Sequence, residues 1–225
     1  MSLETVETRH PMPFTRLEIA LMGLIDGRLQ VLLARREQAP YAGRWALPGG
    51  VLRIDLDRTL DEGARRVMHE RLRLELPFLR QLCAVGGPTR DPRAPWAVSV
   101  VYRALVQSDQ LQPLAGKRIA GLTWRPVDEV AEDKSLAFDH AVLVAQAATT
   151  TRAEVDQLDL PAGLLPDTFT LGELQSTCEQ VLGRKLDKSS FRRRLADQGL
   201  VEPVAGAMKG GANRPAQVYR WMASE

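Results

Sequence analysis

The stretch Leu47-Pro-Gly-Gly50 runs through an Asp-rich loop into Thr59-Leu-Asp-Glu-Gly-Ala-Arg-Arg-Val-Met-His-Glu-Arg-Leu72. A glycine turn followed by an acidic helix is one way to hold a hard divalent cation. Such a cation needs several oxygen ligands on one helix face, and it can then neutralise a diphosphate for attack by water. Here the place for that row of carboxylates holds Val67, Met68, His69, Glu70 and Arg71. Glu70 alone has the right chemistry, and Arg71 would aim a positive charge at the metal. Two unit charges 4 Å apart at an effective dielectric near 20 repel by about 4 kcal/mol, so a dinuclear metal centre is not expected. Glu70 is expected to pair with Arg66 or to be solvated, Glu62 to serve as a helix cap, and His69 to lie on the surface.

A second set of chemically active residues lies near the C-terminus. Between residues 184 and 220 stand nine cations, Arg184, Lys185, Lys188, Arg192, Arg193, Arg194, Lys209, Arg214 and Arg220. Three carboxylates oppose them, Asp187, Asp197 and Glu202, leaving +6 on this segment of a chain whose total is +2. That concentration is the footprint of a phosphate-binding face. Elsewhere the chemistry is sparse. The two cysteines, Cys83 and Cys178, and the three histidines, His10, His69 and His140, have no zinc-type spacing. No metal and no cofactor are therefore expected.

The elements that must position these residues are readable from pattern. The 225 residues suit a medium domain plus a small one, and 44% apolar with 26% charged is ordinary globular composition. Residues 16–25 and 28–35 predict two strands joined by the hairpin turn Asp26-Gly27. Gly49-Gly50 predicts a sharp turn. A helix is expected from Thr59, capped by Thr59 and Glu62, with Leu60, Ala64, Val67, Met68 and Leu72 as its apolar stripe and Pro77 marking its end. Strands are expected at 82–86, 97–106 and 121–127, and a helix at 138–148. The segment 149–165 predicts a linker, with a short helix at 152–158. Thr170 and Glu173 cap a further helix with Leu171, Leu174, Cys178, Val181 and Leu182 on one face. Asp187 caps another that Gly199 ends. Residues 201–204 and 217–221, around a Gly-rich loop, predict a two-stranded wing.

Trp45-Ala-Leu-Pro-Gly-Gly50 and the helix after it resemble the Nudix hydrolase family, whose signature is Gly-x5-Glu-x7-Arg-Glu-U-x-Glu-Glu-x-Gly-U, with U aliphatic. Gly50 fits the first glycine. With a loop two residues longer than the signature, the first glutamate position falls on Arg58, with Asp55 and Asp57 nearby. Arg66, Met68, Glu70 and Leu74 match, whereas Val67, Arg71 and Arg73 stand where glutamate, glutamate and glycine are usual. The resemblance covers residues 14–148. The loop Thr89-Arg-Asp-Pro-Arg93 and the segment Leu136-Ala-Phe-Asp-His-Ala141 look like the branch that handles ADP-ribose.

In the 187–198 helix, Phe191 and Leu195 define a buried side at about 100° per residue, with Arg193 and Ser189 opposite. This suits a recognition helix whose outward residues face bases while flanking arginines reach phosphates. The two halves together resemble the Nudix-related transcriptional regulators: a catalytically silent Nudix-like domain fused to a winged helix. The implied fold is α+β, an α/β/α sandwich around a mixed sheet plus a winged helix-turn-helix. The implied division is an effector-binding and dimerisation domain at 1–148, a linker at 149–165 and a DNA-binding domain at 166–225. The resemblance implies a homodimeric, cytoplasmic repressor of NAD metabolism genes that binds an inverted-repeat operator in double-stranded DNA and senses ADP-ribose or a relative. No membrane is involved, and the N-terminus shows no signal peptide. Effector binding is expected from Arg35, Trp45, Gly50, Arg66, Arg90 and Arg93. Arginines suit a diphosphate, and Trp45 could stack on a base. DNA binding is expected from Lys188, Ser189, Ser190, Arg192, Arg193, Arg194, Lys209 and Arg214. The alternatives are an active Nudix hydrolase with a basic accessory domain and a sugar-responsive regulator of the same architecture.

Overall fold

The computed structural model describes residues 12–75, 78–107, 113–160, 165–210 and 215–222. The first half is built on one long strand, β1 (Phe14–Ile25). Asp26 and Gly27, both at positive φ, turn it back into β2 (Arg28–Arg36), as the hairpin pattern predicts. Two short strands follow, β3 (Trp45–Ala46) on β2 and β4 (Gly49–Val51) on β1. The expected sharp turn at Gly49-Gly50 is therefore a strand, held because Arg16, Leu17 and Glu18 of β1 pair with Val51, Gly50 and Gly49. Gly50 is needed for close packing: a Cβ there would sit 2.7 Å from Val67 Cγ2.

Helix α1 (Leu60–Leu72) starts at the Thr59 cap, whose hydroxyl accepts from the Glu62 N–H at 3.1 Å. The Glu62 carboxylate returns the bond one residue earlier than a capping box does, to the Arg58 N–H at 3.0 Å. Ala64, Val67, Met68 and Leu72 are buried, but Leu60 is 37% exposed. It stands at the first helical position, outside the buried stripe. The helix ends at Arg73 in the left-handed conformation and needs no proline to stop it. Pro77 lies outside the described residues.

Strands β5 (Arg80–Gly87), β6 (Ala97–Gln107) and β7 (Ile119–Pro126) complete a seven-stranded sheet. The order is β3-β2-β1-β6-β5, with β4 on β1 and β7 on β2; only β1 and β6 run parallel, so the sheet is mixed. Strand alternation sends successive β1 side chains to opposite faces. Leu17, Ile19 and Leu21 pack with Val67, Met68, Leu72 and Tyr102 on the α1 side. Ala20 and Met22 pack with Val101, Leu143 and Val144 on the other. That second face is covered by α2 (Val127–Ala131), which pattern did not reveal, and α3 (His140–Gln157).

Two corrections concern α3. Phe138 sits at φ 57° outside the helix, which begins two residues later than periodicity suggests. The helix also runs through most of the expected linker. Thr149-Thr-Thr151 looks like a break, but Thr151 is buried and accepts from Arg103, and Val155 is in the core, so packing overrides weak propensity. The C-terminal part contains β8 (Thr168–Thr170), α4 (Leu171–Leu182), α5 (Lys188–Asp197), β9 (Val201–Lys209) and β10 (Ala216–Trp221). The expected two-stranded wing is three-stranded, in order β8-β10-β9, because Thr168–Thr170 zips onto β10 before α4 begins. Thr170 and Glu173 form a complete capping box. Phe169, Leu174, Cys178, Val181, Phe191 and Leu195 join Val144, Ala147 and Val155 in one continuous core cluster, so the small domain is seated on α3.

Candidate effector cleft and nucleic-acid interface

A cleft opens where the end of β2, the β3–β4 segment and the C-terminal turns of α1 converge. Six arginines line it, Arg16, Arg35, Arg36, Arg71, Arg93 and Arg118, with Ala34, Leu47, Pro48 and Gly49 among the smaller groups. Arg71 comes from the face of α1 beside β4: its Nε donates to the Gly49 carbonyl at 3.0 Å and its Nη1 to the Lys117 carbonyl. Burial pulls the Arg36 guanidinium down to about 10, helped by repulsion from Arg16 and Arg93. Burial followed by the charge of Arg118 lowers Arg71 in the same sense. Like charges held together in this way make the cleft complementary to an anion, and planar guanidinium groups suit the paired oxygens of a diphosphate.

Behind the cleft lies a buried ion network. Glu18 is 1% exposed and accepts from Arg16 at 3.2 Å and Arg90 at 2.7 Å. The His140 Nδ1 accepts from the Leu47 N–H at 2.8 Å, which turns Nε2 to within 3.2 Å of Glu18. Burial pushes the Glu18 carboxyl upward, but His140, Arg16 and Arg90 more than offset it and hold the group well below the usual carboxylate range. Arg90 also bonds Ser99 and Asp139. A second depression beside this network is lined by Tyr41, Gly86, Gly87, Thr89, Arg90, Phe138 and Asp139. Tyr41 and Phe138 meet edge-to-face there with ring centroids 4.8 Å apart.

The expected effector residues separate into three groups. Arg35 and Arg93 line the cleft; Arg93 is also held by Asp91 and lies over the Phe14 ring. Arg66, Arg90 and Gly50 do not line the arginine cleft and are engaged within the protein, Arg90 at the edge of the second depression. Arg66 is bound by Asp57 at 2.6 and 2.7 Å, by the Val51 carbonyl and by Glu70 at 3.4 Å. Arg90 spends its guanidinium on Glu18, Asp139 and Ser99, and Gly50 backs onto Val67. Trp45 is half-buried against the α3-side core, outside the lining of both depressions. Tyr41 and Phe138 are the aromatic rings that line the second depression. Sequence reading missed Arg16, Arg36, Arg71 and Arg118 as cleft residues. Arg71 was visible as a departure from the signature, but only the Gly49 and Lys117 carbonyls show where its charge goes.

Magnesium is the metal the Nudix signature implies. Among the described residues, no three His, Cys, Asp or Glu side chains converge to hold a metal ion. The cleft offers guanidinium groups, which donate and cannot ligate a cation, and Glu70 is turned to Arg66. The residues present do not fit the metal.

At the other end of the molecule, α5 is capped by the Asp187 carboxylate, which accepts from the Ser190 N–H at 2.8 Å. Phe191 and Leu195 are 2% and 1% exposed and anchor it. Lys188, Ser189, Ser190, Arg192 and Arg193 stand exposed on the outer face, as the helical period predicts. Arg194 does not join them. It donates to the Asp156 carbonyl in the last turn of α3, and Arg184 pairs with the Asp156 carboxylate. Arg194 therefore ties α5, and Arg184 the turn before it, to α3. Arg152 of α3 donates to the Val181 carbonyl of α4 at 3.2 Å and grips Asp128 of α2 with two bonds. Lys209 on β9 pairs with Glu173 and remains partly exposed, and Arg214 lies outside the described residues. No helix among the described residues is long and apolar enough to cross a membrane.

Known proteins resemble this chain in sequence and fold. Residues 15–164 match the NUDIX domain, and residues 161–221 match the NrtR DNA-binding winged helix domain. The chain is 35% identical over 212 residues to the "ADPR responsive transcriptional repressor NtrR" of Acinetobacter baylyi, covering 94% of this chain and 83% of that protein. The Shewanella oneidensis NrtR structure complexed with a 27mer DNA superposes with a TM-score of 0.77 at 32% identity, covering 92% of this chain and 93% of that one. The NUDIX domain of the same Shewanella protein complexed with ADP ribose matches with a TM-score of 0.57 at 31% identity, over 63% of this chain and 90% of that one. With a Nudix sandwich and a winged helix seated on α3, the chain belongs to the NrtR family of Nudix-fold transcriptional regulators.

Proposed function

We propose that this protein is a repressor of NAD metabolism genes, that residues 166–225 bind an inverted-repeat operator as part of a homodimer, and that ADP-ribose or a close relative enters the arginine cleft of residues 1–148 and releases the DNA. The observation that carries this reading is the pairing, on one chain, of an exposed basic helix with a cleft lined by six arginines. ADP-ribose is a fragment of NAD with a diphosphate at its centre, so the effector and the regulated chemistry belong together. By linkage, the ligand must favour the DNA-free state, or it changes no occupancy. The cytoplasm is where such a protein meets its DNA.

The cleft binds and does not turn over its ligand, because Val67 and Arg71 stand where metal carboxylates would be needed. Operator-length DNA from upstream of NAD genes is titrated with the protein, with and without ADP-ribose, by fluorescence anisotropy. The expected result is specific binding that ADP-ribose weakens. DNA affinity indifferent to ADP-ribose rejects the sensor reading. In parallel, AMP release is followed with magnesium or manganese present. Turnover at an ordinary rate, about 1–1000 per second, would establish a working hydrolase instead.

A further inference from the structure

We propose that the cleft binds the diphosphate of its ligand without a divalent cation, the Arg71 guanidinium standing where the related hydrolases would place their metal. This rests on the reading that a diphosphate nucleotide occupies this cleft.

The donor set carries the inference. Arg35, Arg36, Arg71 and Arg118 make no ion pair among the described residues, although all four line the cleft. The carboxylates beside the cleft are already engaged: Glu18 by Arg16 and Arg90, Asp91 by Arg93 and Glu70 by Arg66. Arg71 is fixed on two sides by backbone carbonyls, through Nε to Gly49 and Nη1 to Lys117. Its Nη2 makes no hydrogen bond among the described residues and remains available to an incoming oxygen. Both of those backbone oxygens already accept from the guanidinium. Glu70, the acidic residue the signature keeps, is turned to Arg66 at 3.4 Å. A cation would thus meet positive charge and find no convergent carboxylate, whereas a diphosphate would meet uncompensated guanidinium donors directly. The lowered affinities of Arg36 and Arg71 for their protons fit a cluster that has no anion of its own.

The test is calorimetric titration of the full chain with ADP-ribose and with inorganic pyrophosphate, in excess EDTA and in millimolar magnesium. The expected result is an ADP-ribose affinity the same in both within about threefold, well inside the tenfold that 1.4 kcal/mol represents. Arg71→Gln removes the charge and leaves a shorter, neutral polar side chain; it is expected to weaken binding about tenfold or more in either buffer. Arg71→Glu is expected to abolish binding in EDTA and to regain part of it with magnesium. Thermal unfolding of each variant shows that it is folded. ADP-ribose binding that appears only with magnesium overturns this inference and leaves the proposed function standing. Binding untouched by Arg71→Gln overturns it too. No ADP-ribose binding in either buffer defeats both readings.

Discussion

Glu18 is a carboxylate enclosed by Arg16, Arg90 and His140, and its environment sets a pH dependence for the whole protein. Its folded-state pKa lies well below its unfolded value, so the folded state binds fewer protons there. The stability it contributes is fully present above the unfolded value, about 4.3, and is lost as pH falls toward the folded one. Glu18→Gln leaves three positive or polar partners without their anion. We expect a loss of about 3–5 kcal/mol at neutral pH, shrinking as the solution is acidified. Urea titrations of both proteins from pH 7 to pH 3 measure this; a penalty that does not shrink toward acid would refute the assignment. On the DNA face, Arg193 and Arg192 should behave differently although adjacent. Arg193 stands opposite Phe191 and Leu195, so Arg193→Ala is expected to relax preference at one base position and cost about 1–3 kcal/mol. Arg192 flanks that line, and its loss is expected to weaken operator and scrambled DNA alike and to lower the salt slope by about one. Titration of both variants at several salt concentrations decides; unchanged affinity in both at low salt would remove α5 as the reader.

Among the elements, α1 keeps its scaffold while its side chains depart from the signature at Val67 and Arg71. The helix is fixed by the Thr59 cap, by Val67 against Gly50 and by Leu72 in the core. None of these depends on the carboxylates that the signature carries. Its C-terminal turn retains a cost. Arg73 takes a left-handed conformation, φ 56° and ψ 30°, at the signature position where glycine is usual. Arg73→Gly is therefore expected to stabilise the protein by about 0.5–1 kcal/mol, since removing Cβ strain outweighs the entropy of glycine. A lower melting temperature for that variant would show that the Arg73 side chain contributes contacts beyond its backbone. Helix α3 illustrates the opposite lesson. Its first residue, His140, touches the Glu18 network, and Asp156 near its last turn touches Arg184 and Arg194. One helix thus spans from the buried network behind the cleft to the basic helix α5.

At the scale of the molecule, one apolar cluster runs from the sheet through α3 into the winged helix. A shared core couples unfolding, and we expect a single calorimetric transition whose van't Hoff and measured enthalpies agree. Two resolved transitions would mean that the small domain is only loosely docked. Much of this architecture could be read in advance. The Asp26-Gly27 hairpin, the Thr170–Glu173 box, the Asp187 cap and the buried Phe191 and Leu195 all follow from local stereochemistry and the 3.6-residue period, which need no knowledge of distant neighbours. The exposed basic face of α5 follows from the same period. The effector cleft was less legible. It draws on β1, β2, α1, the Asp91–Arg93 loop and the segment before β7, residues far apart in the chain. Whether an arginine there is spent or available depends on partners that only folding supplies. Arg66 and Arg90 carry the same guanidinium as Arg71 and Arg118, yet Asp57 and Glu18 consume the first two. Charge type is written in the residue; its compensation is set by three-dimensional proximity, because electrostatic pairing falls off over a few ångströms of space and is indifferent to separation along the chain.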